Sequence, residues 1–388
     1  MFDVIWTPST MDDLATRRQL LKFGLAAGTV LVYRTSHLGA ADDIKSPPLR
    51  PVHDDIRIAS QRVELSLQFH GKTAAEFTAW RTRFQKKLTE LLGASTPPRK
   101  WTAVEEKRTE LPDHTRLELL LTAKNVPAVP VYLLIPKGAT AKKPAPAVLC
   151  VHGHGAYGHH PIVGRTDLPG VAKAIKGANY DYGLQFVKRG YVVAAPCLIP
   201  FGRRLDRAKY GRTDPCATTF VRLQALGQTT MGANLRDLRW CLDLLQRRPE
   251  VRKEKIGCAG LSYGGRMTML VSAMDERIKV CAVSGALNLL QERIRGRYSC
   301  GSQIIPGLLK YGDYSEIGSL IAPRPAVWEV GSRDGLVVPK WDKLFKDRLQ
   351  RAYAAAGVAD RLAFDRFEGG HRWNGKVAYP LFEKVLKR

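Results

Sequence analysis

Apolar residues follow two rhythms along this chain. In the first, Phe77, Trp80, Phe84, Leu88 and Leu91 or Leu92 recur at helical spacing between Thr73 and Leu92, which predicts an accessory helix with one apolar face. Pro97-Pro98 ends it, and Leu117–Leu121 and Val129–Ile135 then read as strands. In the second rhythm, short unbroken apolar runs alternate with amphipathic stretches. Ala147–Val151, Tyr191–Ala195, Lys255–Ala259, Val280–Ser284 and Pro325–Val330 have the look of parallel strands covered on both faces. Between them fall a helix ending near Gly190, a helix over Asn234–Arg248 with Leu235, Leu238, Leu242 and Leu245 inward, a helix over Arg266–Met274, and a last helix from about Pro380. The polar stretch from 42 to about 71, with Pro47, Pro48 and Pro51, reads as a loosely ordered lead-in.

Strands alternating with helices imply an α/β fold, a mostly parallel sheet with helices on both faces. The expected organisation is a leader over 1–41, a lead-in with the accessory helix over 42–100, and the α/β domain over 101–388. Reactive groups in such sheets lie beyond the carboxyl ends of the strands. The long segments 156–180 and 196–232, rich in Gly, Arg and aromatic residues, are expected to form loops above them.

One of those strand ends carries a nucleophile signature. Gly260-Leu261-Ser262-Tyr263-Gly264 fits G-x-S-x-G between a strand and a helix, the context in which a serine hydroxyl projects from a sharp turn. Serine needs a base, and the base an orienting acid. Asp334, in Gly331-Ser332-Arg333-Asp334-Gly335, follows the next strand but one, and His371 stands in the glycine-flanked Phe367-Glu368-Gly369-Gly370-His371. Glu329 and Asp206 are alternative carboxylates for the acid. An oxyanion is expected to meet the amides of Tyr263 and of His154 or Gly155, the latter pair in Val151-His152-Gly153-His154-Gly155. His152, His154, His159 and His160 match no strong metal-ligand spacing, so neither metal nor cofactor is expected.

The charge changes the picture of partners. The 388 residues hold 61 Lys and Arg against 36 Asp and Glu, a net charge of +25, spread along the chain and unaccompanied by any nucleic-acid-binding signature. An anionic polysaccharide is a candidate neighbour, with Arg203, Arg204 and Arg207 as candidate contacts, and nucleic acid is not expected. Arg17-Arg18 precedes the apolar run Phe23–Tyr33, too short for a membrane span, and Gly39-Ala40-Ala41 offers small residues for cleavage. This resembles a twin-arginine export signal, which predicts a periplasmic or secreted protein. Of seven cysteines, Cys150, Cys258 and Cys281 fall in strand-like runs, and Cys197, Cys216 and Cys300 are loop candidates for a disulfide whose pairing the sequence leaves open.

With the chain order Ser262, Asp334, His371, these residues resemble the α/β-hydrolase superfamily, and within it the dienelactone-hydrolase and acetyl xylan esterase-like bacterial members. The likeness spans roughly residues 70 to 388 and includes Ile304–Leu309, Leu320–Pro325 and Glu368–Arg372. It implies a serine esterase that removes acetyl or similar short acyl groups from carbohydrate through an acyl-enzyme. Dienelactone hydrolases use cysteine as nucleophile, so Ser262 points toward ordinary carboxylic esters. A serine peptidase of the same fold and a catalytically silent, ligand-binding member are the competing readings. About 100 residues of lead-in are too few for the propeller that such peptidases carry.

Overall fold

A computed structural model describes residues 49–205, 213–296 and 299–388. The leader with its twin arginine, Asp206 and Arg207 lie outside the described residues.

The described residues build one nine-stranded sheet in the order β1-β2-β3-β5-β4-β6-β7-β8-β9. Its strands are β1 Thr102–Glu110, β2 His114–Ala123, β3 Val126–Pro136, β4 Ala145–Val151, β5 Val192–Pro196, β6 Val251–Leu261, β7 Ile278–Ser284, β8 Ala326–Gly331 and β9 Leu362–Phe367. β1 to β3 form an antiparallel meander joined to β5, while β4 through β9 run parallel. The chain leaves β4 for β5 on one side and returns to β6 on the other, so the connections diverge at the carboxyl ends of β4 and β6. That divergence opens the crevice in which doubly wound sheets hold their ligands.

Alternation along each parallel strand supplies both cores. On β4, Val148 and Cys150 face a cluster with Tyr182, Phe186, Trp373 and Phe382, while Leu149 and Val151 face Leu238, Leu242, Met267 and Leu270 on the opposite side. The helices Tyr182–Lys188 and Ala378–Leu386 cover the first face, and Thr230–Arg247, Tyr263–Met274 and Pro339–Ala355 the second.

The accessory helix runs Ala74–Leu92 and buries Phe77, Trp80, Phe84, Leu88 and Leu92. A capping box starts it. The Thr73 hydroxyl accepts from the Glu76 amide at 3.3 Å, and the Glu76 carboxylate accepts from the Thr73 amide at 2.9 Å. Trp80 Nε1 donates to the Leu67 carbonyl at 2.6 Å, which ties the helix to the chain before it.

The lead-in is more ordered than its composition suggests. Val52–Gln61 is a helix that buries only Ser60, so no apolar stripe announces it. Arg295 Nη2 donates to the Ser60 carbonyl at 3.3 Å and fastens its end. Segments 156–180 and 196–232 likewise contain the helices Val171–Ala178 and Pro215–Ala225, and the helix read from Asn234 begins at Thr230. Among the described residues no helix is long and apolar enough to cross a membrane.

Candidate active site

Ser262 sits at the carboxyl end of β6, ahead of the helix Tyr263–Met274. Its backbone is left-handed, φ 65° and ψ −123°, a conformation that costs a non-glycine residue on the order of 1–3 kcal/mol and persists only where the surroundings impose it. Two bonds do so. The Ser262 amide donates to the Ser284 carbonyl of β7 at 2.8 Å, and the Ser262 carbonyl accepts from Arg266 at 3.0 Å to open the helix. Close packing does the rest. A Cβ on Gly264 would stand 1.9 Å from the Val151 carbonyl oxygen, and one on Gly265 would stand 2.4 Å from that of Ser284, so only glycine lets this helix press against β4 and β7.

Asp334 and His371, widely separated in sequence, come together beyond β8 and β9. His371 Nδ1 and Asp334 Oδ2 are 2.7 Å apart, with the carboxylate buried and the imidazole partly open. The other oxygen, Oδ1, accepts from the Leu336 amide at 2.9 Å. The two turns are stitched to each other, since Ser332 N donates to Phe367 O and Arg333 N to Gly369 O, both at 2.8 Å. With a proton on Nδ1 shared with Asp334, the lone pair lies on Nε2. That nitrogen is buried and without a hydrogen-bond partner among the described residues. The ring lies on Gly285, where a Cβ would fall 2.6 Å from His371 Cε1. Gly285 immediately follows Ser284, the residue that holds the Ser262 amide, and Ser262 and Gly285 line the same pocket.

Glu329 does not partner the imidazole. It is fully buried in β8, and its carboxylate accepts from the amides of Asn374 and Gly375, each at 2.9 Å. Burial raises its pKa to about 7 against the pull of those two amides. Its part is to anchor the loop that follows His371.

The glycine-histidine loop after β4 lies against the serine. A Cβ on Gly153 would meet Ser262 Cβ at 2.9 Å. The Gly153 amide donates to the Tyr180 hydroxyl oxygen at 2.5 Å and is therefore engaged. Among the described residues the amides of His154 and Gly155 make no backbone hydrogen bond. Tyr263 opens its helix, so its amide has no carbonyl within that helix to donate to.

Three of the four histidines noted in sequence are structural. His152 Nδ1 is 2.7 Å from the Gly153 carbonyl and its Nε2 accepts from the Leu198 amide at 2.8 Å, with burial pushing its pKa down to about 4. His159 Nδ1 lies 2.9 Å from the Ala195 carbonyl, and His160 Nδ1 2.9 Å from the Tyr132 hydroxyl. His154 instead turns its ring toward Tyr263 and Phe201 and lines the pocket.

That pocket has a volume of about 270 Å³. Besides Ser262 and His154 it is bordered by Cys216, Cys300, Arg266 and Asn288. Arg266 is buried, donates to Asn288 Oδ1 at 2.5 Å and lies 3.6 Å from the Tyr314 ring centroid. Desolvation lowers its pKa to about 10, which leaves it cationic at neutral pH.

Of the arginines noted in sequence, the partly exposed Arg203 pairs with Glu106 at 2.6 Å and Arg204 with the buried Asp237 at 2.5 Å. Of the loop cysteines, Cys197 is buried and its thiol donates to the Phe201 carbonyl at 3.1 Å, whereas Cys216 and Cys300 converge with both thiols free. The sequence offered both among three candidates for pairing and did not single them out. Neither cysteine sits in a ligand motif, and only the fold brings their loops together.

A nine-stranded, mostly parallel sheet with a serine at the sharp turn after β6 defines the α/β-hydrolase fold. The chain belongs to the abhydrolase family, whose sequence profile matches residues 58–368. It is 31% identical over 303 residues to YtaP of Bacillus subtilis (strain 168), named as a hydrolase, covering 75% of this chain and 94% of that one. Among solved structures it resembles BF1801 of Bacteroides fragilis NCTC 9343, described as an acetyl xylan esterase, with TM-score 0.73, 18% identity, and coverage of 89% of this chain and 97% of the other. A glucuronoyl esterase from Solibacter usitatus aligns with TM-score 0.59 and 15% identity, over 84% of this chain and 99% of that one. At such identities the structural likeness speaks for the fold.

Proposed function

We propose that this protein is a serine carboxylic-ester hydrolase that removes acetyl or similar short acyl groups from carbohydrate. The observation that carries the reading is the His371–Asp334 pair at 2.7 Å, with an unpartnered Nε2 packed on the turn that also holds the strained Ser262. In the proposed reaction His371 Nε2 takes the Ser262 hydroxyl proton as the oxygen attacks the ester carbonyl, and Asp334 stabilises the imidazolium. The oxyanion is received by the amides of Tyr263 and of His154 or Gly155. The imidazolium then protonates the sugar oxygen as its bond to the acyl carbon breaks, and the sugar leaves as the alcohol. Water, deprotonated by the same nitrogen, attacks the acyl carbon, and the imidazolium returns that proton to the Ser262 oxygen as the carboxylic acid departs. A pocket of about 270 Å³ suits a short acyl group better than a long chain. The names borne by the structural relatives, acetyl xylan esterase and glucuronoyl esterase, agree with a carbohydrate ester.

Turnover of a short-chain aryl acetate, acetylated xylan, a methyl-esterified uronate and an aminoacyl anilide tests the reading. Hydrolysis of the acetates is expected, with a loss of at least about ten-thousandfold in Ser262→Ala. Equal rates in Ser262→Ala, or preference for the anilide, would refute it.

A further inference from the structure

The pocket that holds Ser262 contains a second cluster with chemistry of its own. An imidazole nitrogen of His154 and the thiol sulfurs of Cys216 and Cys300 all lie within 4.8 Å of one another. Three separate segments supply them. His154 comes from the loop after β4, Cys216 from the first turn of the helix Pro215–Ala225, and Cys300 from just before the 3-10 turn Gly301–Gln303. Both thiols are buried to 7% exposure. His154 Nε2 is likewise buried and makes no hydrogen bond of ordinary geometry among the described residues, which leaves it open to a ligand.

We propose that His154, Cys216 and Cys300 bind a thiophilic divalent cation, zinc in the first instance, and that an ion held there blocks the acyl pocket beside Ser262. Zinc takes thiolate sulfur at about 2.3 Å and imidazole nitrogen at about 2.0–2.1 Å, so the donors of a tetrahedral site stand about 3.6–3.8 Å apart. Closing from the present separations asks for side-chain adjustment of about an ångström. Two thiolates and one imidazole select zinc, cobalt or other soft ions over magnesium and calcium, which require oxygen. The ion takes both sulfurs as thiolates, so binding expels whatever thiol proton the pair still holds and affinity rises with pH. Three protein donors leave the fourth position to water or to an anionic group in the pocket that Ser262 shares. An ion there ties the loop proposed to receive the oxyanion to Cys216 and Cys300. It also fills the space meant for the acyl group. Binding stands apart from the hydrolase reading, and the block rests on it.

The test uses the full chain, reduced with a phosphine, and cobalt(II) as a spectroscopic stand-in for zinc. Cobalt is expected to give the intense near-ultraviolet charge-transfer band of cobalt–thiolate bonds with the visible bands of a tetrahedral site, and zinc to abolish them. Cys216→Ser and Cys300→Ser should each weaken the charge-transfer band, and His154→Ala should perturb the visible bands. No thiolate band from the reduced wild-type protein overturns the site, and so does a band that survives Cys216→Ser/Cys300→Ser unchanged. A Cys216–Cys300 disulfide that forms in preference to zinc ligation, seen by mass spectrometry of peptides, overturns it as well. For the block, zinc should slow acetate hydrolysis at least about tenfold, reversed by a chelator, and Cys216→Ser should lose that sensitivity relative to its own metal-free rate. A cobalt site with hydrolysis indifferent to zinc refutes the block alone. A cobalt site in a protein that hydrolyses no ester refutes the hydrolase reading and leaves the site standing.

Discussion

The two flanks of the candidate site are built differently. On one, Ser262, Asp334 and His371 sit at the carboxyl ends of parallel strands or in turns bonded to them, and backbone bonds link those turns to one another. On the other, Cys216 and Cys300 come from a helix start and a single 3-10 turn, lying far from the sheet in the chain. The contrast teaches where precision and adaptability reside in this fold. A scaffold of strands fixes side chains that must meet within tenths of an ångström, while connecting segments tolerate the changes that set which ligand enters.

The sharpest way to break this contrast is at Asp334. Asp334→Asn leaves the shape of the first flank intact but favours the wrong imidazole tautomer. It is expected to lower kcat by about ten-thousandfold with little change in KM, as removal of the orienting carboxylate does in a serine triad. Steady-state kinetics on an aryl acetate decide it, and a loss under tenfold would remove Asp334 from the proposed mechanism. On the second flank, Cys216→Ser should change KM by less than about tenfold and kcat hardly at all, the signature of a group that touches substrate without entering the chemistry. A fall in kcat as large as that in kcat/KM would dissolve the distinction between the flanks.

The smallest effect concerns Glu329 and is read as stability. Its folded pKa of about 7 stands above that of a free glutamate, so between pH ~4.3 and that value the native state binds more protons than the unfolded one. Stability from this group is therefore present at low pH and lost as pH rises through about 7. Tm of wild type minus that of Glu329→Gln should fall across that window. A difference that is flat with pH would show that Glu329 is ionised throughout.

Much of the first flank was legible in the sequence because it rests on strong local signals. G-x-S-x-G needs its glycines for the close approaches seen at Gly260 and Gly264, and the turns at Asp334 and His371 follow apolar runs that read as strands or carry flanking glycines. Elements at the margins were not legible. β1 is exposed along most of its length and carries Glu105, Glu106, Lys107 and Arg108, a charged edge strand with no apolar alternation to betray it. β9, at the other edge, is only half-buried, and the helix Val52–Gln61 hides a single serine. Glu329 read as an alternative acid because chain order cannot distinguish a carboxylate that holds an imidazole from one that holds two backbone amides. The pairing of Cys216 with Cys300 was out of reach for the same reason, since it arises from loops that only the folded sheet brings together.

His371 is gripped on both sides. Before it, the Phe367 and Gly369 carbonyls are tied to the Asp334 turn, and after it the Asn374 and Gly375 amides are tied to Glu329. An imidazole strapped at both shoulders gives up little conformational entropy when a ligand arrives, because its ordering was completed as the chain folded. In a hydrolase of the proposed kind, warming then drives the reaction faster up to the melting transition, and activity disappears together with the fold rather than ahead of it.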